Sequence, residues 1–194
     1  MFPAFTEIGR VELTLYTDAL ITRGWVRTRQ HRITDILNLA EEQFLILEDV
    51  TVEEIGDRGQ PIRADVAQIN LQSVLFAVAD VPVEASPELR TPKRALNAIV
   101  SVPPFRIIGT IHLLPGEMSL RESLSELTTA FIPVTHATYW SDRLGEARRT
   151  ALLVAVNHHR TQILAQHQEA DPWAGLGAPA PSTPPPGTEG GPLG

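Results

Sequence analysis

The sequence predicts a mainly β protein: two tandem, small, open β-barrel-like modules with short helices, followed by a disordered C-terminal tail. Three observations carry this expectation. Segments of period-2 alternation recur along the chain, the mark of half-buried strands. Five blocks of similar pattern recur in the same order, offset by 85 residues early (Gly24 to Gly109) and 87 later (Phe44 to Phe131). The final 24 residues hold seven Pro and six Gly, too little apolar surface to offset the entropy of ordering.

These blocks divide the chain into a first module at 10–80, a Pro-rich linker at 81–94, a second module at 95–168 that repeats the first, and the tail at 171–194. Each module opens on an alternating strand: Val11, Leu13 and Leu15 in one, Leu96, Ala98, Val100 and Val102 in the other. A second strand follows in each, Leu20 to Val26 and Phe105 to Ile111, with Gly24 and Gly109 in its interior. A glycine inside a strand marks a bulge, a bend or a close backbone approach. Next come two short helices. Ser119 and Glu122 predict a capping box at the second, in which the serine accepts from a free N–H and the glutamate reaches back. Asp35 and Glu122 fall in first turns, where a negative charge suits the helix dipole. Asn38 is expected to end the first helix in a left-handed conformation.

The third block pairs Phe44–Val52 with Phe131–Tyr139, and Pro133 predicts a sheet-edge position for the latter. The last block holds Ala67–Asn70 and Val74–Val78 in one module, Val154–Asn157 and Ile163–Leu164 in the other. Asn70 and Asn157 recur there as structural turn residues. Pro82, Pro87 and Pro92 stiffen the linker. Modules of this size bury little surface alone, and Ile108 and Leu114 give the second an apolar outer face. Docking of one module on the other is therefore expected.

Composition narrows the functional classes. The formal net charge is −7 and the pI near 5.3, which argues against a general nucleic-acid binder. Without cysteine there is no disulfide, zinc–thiolate site or cysteine nucleophile. No signal peptide and no membrane-length apolar run is read, so a cytoplasmic location is expected.

Several blocks carry a family pattern. Val11-Glu12-Leu13-Thr14-Leu15-Tyr16-Thr17, Arg32-Ile33-Thr34-Asp35-Ile36-Leu37-Asn38 and Phe44-Leu45-Ile46-Leu47-Glu48-Asp49-Val50 resemble an uncharacterised bacterial domain family of unknown function. The second module is more diverged, with Glu122, Ser125 and His136 at the matching positions. The resemblance covers about 145 residues and implies no activity and no site residues. The order of elements is also similar to Sm-like and SH3-like small barrels, an analogy of fold that does not license function.

Among candidate sites, the strongest charge feature is Arg23, Trp25, Arg27 and Arg29 on one strand face, with Arg32 close by. Cations interleaved with an aromatic can grip phosphates and stack a base. The competing reading is a solvated face paired with Glu12, Asp18, Asp35 or Glu41. His112, His136, His158, His159 and His167 lie in the second module, but no pair shows the spacing of a helical metal motif. On a strand, His158 and His159 would face opposite ways. Asp18, Asp35 and Asp49 lack counterparts of the same type in the second module, and no phosphate-loop, dinucleotide or nucleophile-elbow motif occurs. The sequence thus points to a non-catalytic interaction or scaffold protein, with no cofactor, no metal and no membrane contact. A protein partner or self-association is expected. A nucleic-acid-associated regulator using Arg23, Trp25, Arg27, Arg29 and Arg32 is the alternative.

Overall fold

The computed structural model describes residues 8–30, 32–39, 43–56, 59–79, 94–113 and 119–167. Most of the linker and the entire tail, Trp173 included, lie outside the described residues. The first half contains β1 (Gly9–Tyr16), β2 (Leu20–Thr28), α1 (Ile33–Asn38), β3 (Phe44–Glu54), β4 (Ile62–Asn70), a 3-10 turn (Leu71–Ser73) and β5 (Phe76–Ala79). The second contains β6 (Arg94–Val102), β7 (Phe105–Leu113), α2 (Leu120–Ser125), β8 (Phe131–Ser141), β9 (Glu146–Asn157), a 3-10 turn (His158–Arg160) and β10 (Ile163–Gln166).

The strands form one open antiparallel sheet in the order β10-β6-β7-β8-β9-β5-β1-β2-β3-β4. Within each half the order is the same: fifth, first, second, third, fourth. One strand pair joins the halves, with Phe76, Ala77 and Val78 of β5 opposite Val156, Ala155 and Val154 of β9. The halves therefore meet edge to edge. The two halves do join, but not through Ile108, which is only partly covered and does not lie at this seam; Leu114, the other residue of the expected docking face, lies outside the described residues. An unsatisfied strand edge is a stronger demand for a partner than a modest apolar patch.

Two interior clusters sit on the sheet, and both cross the seam. One gathers Leu13, Leu15, Ile33, Ile36, Leu37, Leu47 and Val74 of the first half, with Phe131 and Ala155 of the second. The other gathers Leu96, Val100, Phe105, Ile107 and Val134 of the second half, with Tyr16, Ile21, Leu75 and Phe76 of the first. Tyr16 stacks on Phe76 at 4.4 Å between ring centres, and Phe105 and Tyr139 meet Tyr16 edge-on. This explains a departure from the simple alternation of β1. Leu13 and Leu15 enter one cluster while Tyr16, on the opposite face, enters the other. The C-terminal part of β1 is consequently buried on both sides.

Each interior glycine sits where two residues of the next strand face one. Around Gly24 the register runs Arg23↔Thr51 and then Trp25↔Glu48; around Gly109 it runs Ile108↔Thr138 and then Thr110↔Thr135. The extra residues are Asp49 and His136, at φ 52 and 49, a conformation that Asp and His enter more readily than most side chains. Such bulges sharpen the twist and bend the strand. Asp49 thus lies inside β3.

Ser119 and Glu122 form the reciprocal capping box at α2, and its hydrogen bonds hold the Glu122 carboxyl below the usual carboxylate range. Asp35 lies in the first turn of α1, which has no side-chain cap of its own. Asn38 does not terminate α1 in a left-handed conformation: it is the last helical residue, and Leu39 closes the helix in the right-handed region. The Asn38 side chain is committed elsewhere, to β8. Pro133 is not on an edge strand, because β8 runs between β7 and β9. It lies just past Val134, where the pairing of β8 with β7 stops, so its missing N–H breaks no bond of that ladder.

Candidate functional site

The seam between β5 and β9 is the most elaborated place in the molecule. Asn157 ends β9 and caps the following 3-10 turn, its Oδ1 accepting from the His159 N–H at 3.1 Å. Its Nδ2 reaches across the seam to the carbonyls of Val74 at 2.9 Å and Leu71 at 3.3 Å. Its backbone N–H donates to the Leu75 carbonyl at 2.9 Å. From the other side Asn38 approaches the start of β8. Its Nδ2 donates to the Phe131 carbonyl and its Oδ1 accepts from the Phe131 N–H, both at 2.8 Å. Two side-chain amides thus stitch the halves in opposite directions. Both satisfy backbone groups that burial would otherwise leave costly.

A cleft of about 670 Å³ opens over this seam, lined by Leu37, Asn38, Gln43, Leu71, Gln72, Thr128 to Phe131, Asn157, His159 and Arg160. Its walls are apolar and neutral-polar, with His159 and Arg160 supplying cationic or ionisable groups at the rim. Among the described residues, His158 Nδ1 is buried without a hydrogen-bond partner. Burial, and then the neighbouring His159, push the pKa of the His158 ring below the usual histidine range. His158 and His159 occupy a 3-10 turn and not a strand, with ring centres 6.2 Å apart. Among the described residues, no group of three or more His, Asp or Glu side chains is placed to hold a metal ion.

Asn70 is the counterpart of Asn157. It ends β4 and caps the first 3-10 turn, its Oδ1 accepting from the Gln72 N–H at 2.9 Å. Among the described residues, β3 is the one strand that adjoins β4, and the Asn70 Nδ2 has no hydrogen-bond partner.

The Arg/Trp strand lies apart from the cleft. Arg23, Trp25 and Arg27 share the outer face of β2, while Gly24 and Val26 point inward. Arg23 pairs with Glu53 at 2.7 Å and Arg27 with Glu48 at 2.8 Å. Arg10, unremarked in the sequence, lies 5.0 Å from the Trp25 ring centre and bonds Asp49 at 2.6 Å. The partners of Arg23 and Arg27 differ from the acids expected, because β3 supplies them through sheet pairing and not through chain proximity. Arg29 falls one residue beyond β2, in a bend, and Arg32 flanks α1. Among the described residues, these two pair with no carboxylate. The second half places Ile108, Thr110 and His112 on the matching face, with His112 Nε2 2.8 Å from the Thr135 hydroxyl.

Asn38 escaped the sequence reading as a seam residue. Its position just after an apolar helix suggested a cap, and nothing local signals a bond to a residue 93 positions away. No helix among the described residues is long and apolar enough to cross a membrane. Compared with known proteins, the chain matches no family model, no curated sequence and no solved structure.

Proposed function

We propose that the chain is a non-catalytic, cytoplasmic interaction or scaffold protein built from a duplicated small β module. One observation carries this reading. The sheet is closed inside by a seam of buried strands, but among the described residues it ends on β4 and β10, each with one edge unpaired, and Ile62, Val66 and Ile163 are exposed along them. Unpaired edges with apolar side chains are templates for adding another strand. The common strand order of the two halves supports the duplication, and the bulges at Gly24 and Gly109 support the bent, small-barrel character of each module. Affinity capture with the tagged full chain tests the reading. A bound protein should be recovered with the native chain and lost when Val66 and Ile163 are both changed to Lys. Equal capture by both chains would contradict it.

A second reading, nucleic-acid association through Arg23, Trp25, Arg27, Arg29 and Arg32, is favoured by Arg29 and Arg32, which no acid neutralises among the described residues. In that case single-stranded RNA or DNA binds the chain with a steep loss of affinity as salt rises, and Arg29→Ala with Arg32→Ala flattens the slope. Absence of binding at low salt removes this reading.

A further inference from the structure

We propose that the chain assembles head to tail with copies of itself, β4 of one chain pairing with β10 of the next in the register of the internal β9·β5 seam. This rests on the scaffold reading above and names its partner. The two outer edges are the structural counterparts of the two edges already joined inside the molecule. β4 occupies the place in the first half that β9 occupies in the second, and β10 the place of β5. Both local frames are preserved. Leu75 donates its N–H to the Tyr16 carbonyl as Gln162 does to Ser101. The Leu71 and His158 N–H groups bond to the Gln43 and Ala130 carbonyls in the same way.

Burial follows the seam, not the sequence type. Phe131 is 2% exposed beside the seam, and its counterpart Phe44 is 42% exposed at the free end. Phe76 is 0% exposed and its counterpart Ile163 57%. Asn157 is buried, while Asn70 is exposed and its Nδ2 bonds to nothing among the described residues. The acceptor site for that amide already exists at the opposite edge. Thr161 N–H bonds the His158 carbonyl at 3.2 Å, as Val74 N–H bonds Leu71, so the 3-10 turn there offers the same two carbonyls that Asn157 uses. Transferring the seam register places Ile163, Leu164 and Ala165 of one copy opposite Ile69, Gln68 and Ala67 of another. One stitch is not repeated: Ser125 stands where Asn38 would be needed, and its hydroxyl already bonds the Glu122 carbonyl. The contact between copies is therefore weaker than the internal seam and responds to concentration. Because the two surfaces differ, it closes a ring or continues as a filament according to the turn per junction.

The chain contains no cysteine, so introduced thiols report contacts cleanly. Ala67→Cys mixed with Ala165→Cys should form one disulfide-linked dimer under mild oxidation. A chain carrying both should form a ladder of linked species, and Ala64→Cys with Ala165→Cys should link far less. Native mass spectrometry of the unmodified full chain should show oligomers growing with concentration. Ser125→Asn should tighten association about fivefold for each hydrogen bond gained. Gln68→Pro, which removes an edge N–H, should abolish association while circular dichroism shows the fold intact. A monomer at every micromolar concentration, or linking as strong in the shifted control pair, overturns the proposal. Capture of a different protein that still depends on Val66 and Ile163 would overturn self-assembly alone and leave the scaffold reading standing.

Discussion

At the scale of single residues, the two interior glycines carry the geometry of the sheet with different tolerances. A Cβ on Gly109 would lie 2.7 Å from Val134 Cγ1 and 2.8 Å from the Thr135 carbonyl oxygen, whereas one on Gly24 would come no closer than 3.1 Å to any neighbour. The Thr135 oxygen is backbone within a paired strand and has little freedom to retreat. Gly109→Ala should therefore cost about 1–3 kcal/mol in denaturant melts, the usual range for overpacking, and Gly24→Ala distinctly less. Equal costs would show that β8 yields as easily as β3. The need for glycine at these positions was legible in the sequence. Its cause was not, because the bulge arises from Asp49 and His136 on the neighbouring strands, 25 and 27 residues further along the chain. The same limit applied to Arg23 and Arg27. Their charge and shared face were readable, but their partners Glu53 and Glu48 depend on sheet register.

At the scale of elements, strand existence followed from alternation, while strand environment followed from neighbours. The blocks at Leu96–Val102 and Phe105–Ile111 lie within β6 and β7, since one face of each meets the interior and alternation records that directly. β1 and β8 depart from the pattern because the seam and the second cluster cover additional surface. Asn38 is the clearest case of an element doing something its local sequence does not announce. Removing its amide in Asn38→Ala strands the N–H and C=O of Phe131 at a partly buried position. The expected loss is roughly 1–3 kcal/mol, with faster hydrogen exchange at the Phe131 amide than elsewhere in β8. An unchanged exchange rate there would mean that water replaces the asparagine without cost.

At the scale of the whole molecule, the expectation from the sequence was two modules docked on each other, and what could not be foreseen was how their interiors would be shared. Periodicity reports which faces are buried but not which surface buries them. Here Phe76 of the first half sits among Tyr16, Phe105 and Tyr139, and Phe131 of the second half completes the cluster around Leu13 and Leu47. Neither half keeps a full interior without the other, so the two should unfold as one cooperative unit. Trp25 and Trp140, one in each half, give a direct readout if each is kept in turn as the sole tryptophan, with Trp173 and the other replaced by Phe. The two fluorescence transitions in denaturant should coincide. Phe76→Ala should shift both together by about 3–5 kcal/mol, the cost expected for truncating a fully buried aromatic, although Phe76 belongs to the first half alone. A shift of the Trp25 transition that left the Trp140 transition in place would show that the halves fold independently and that the seam is a surface contact only.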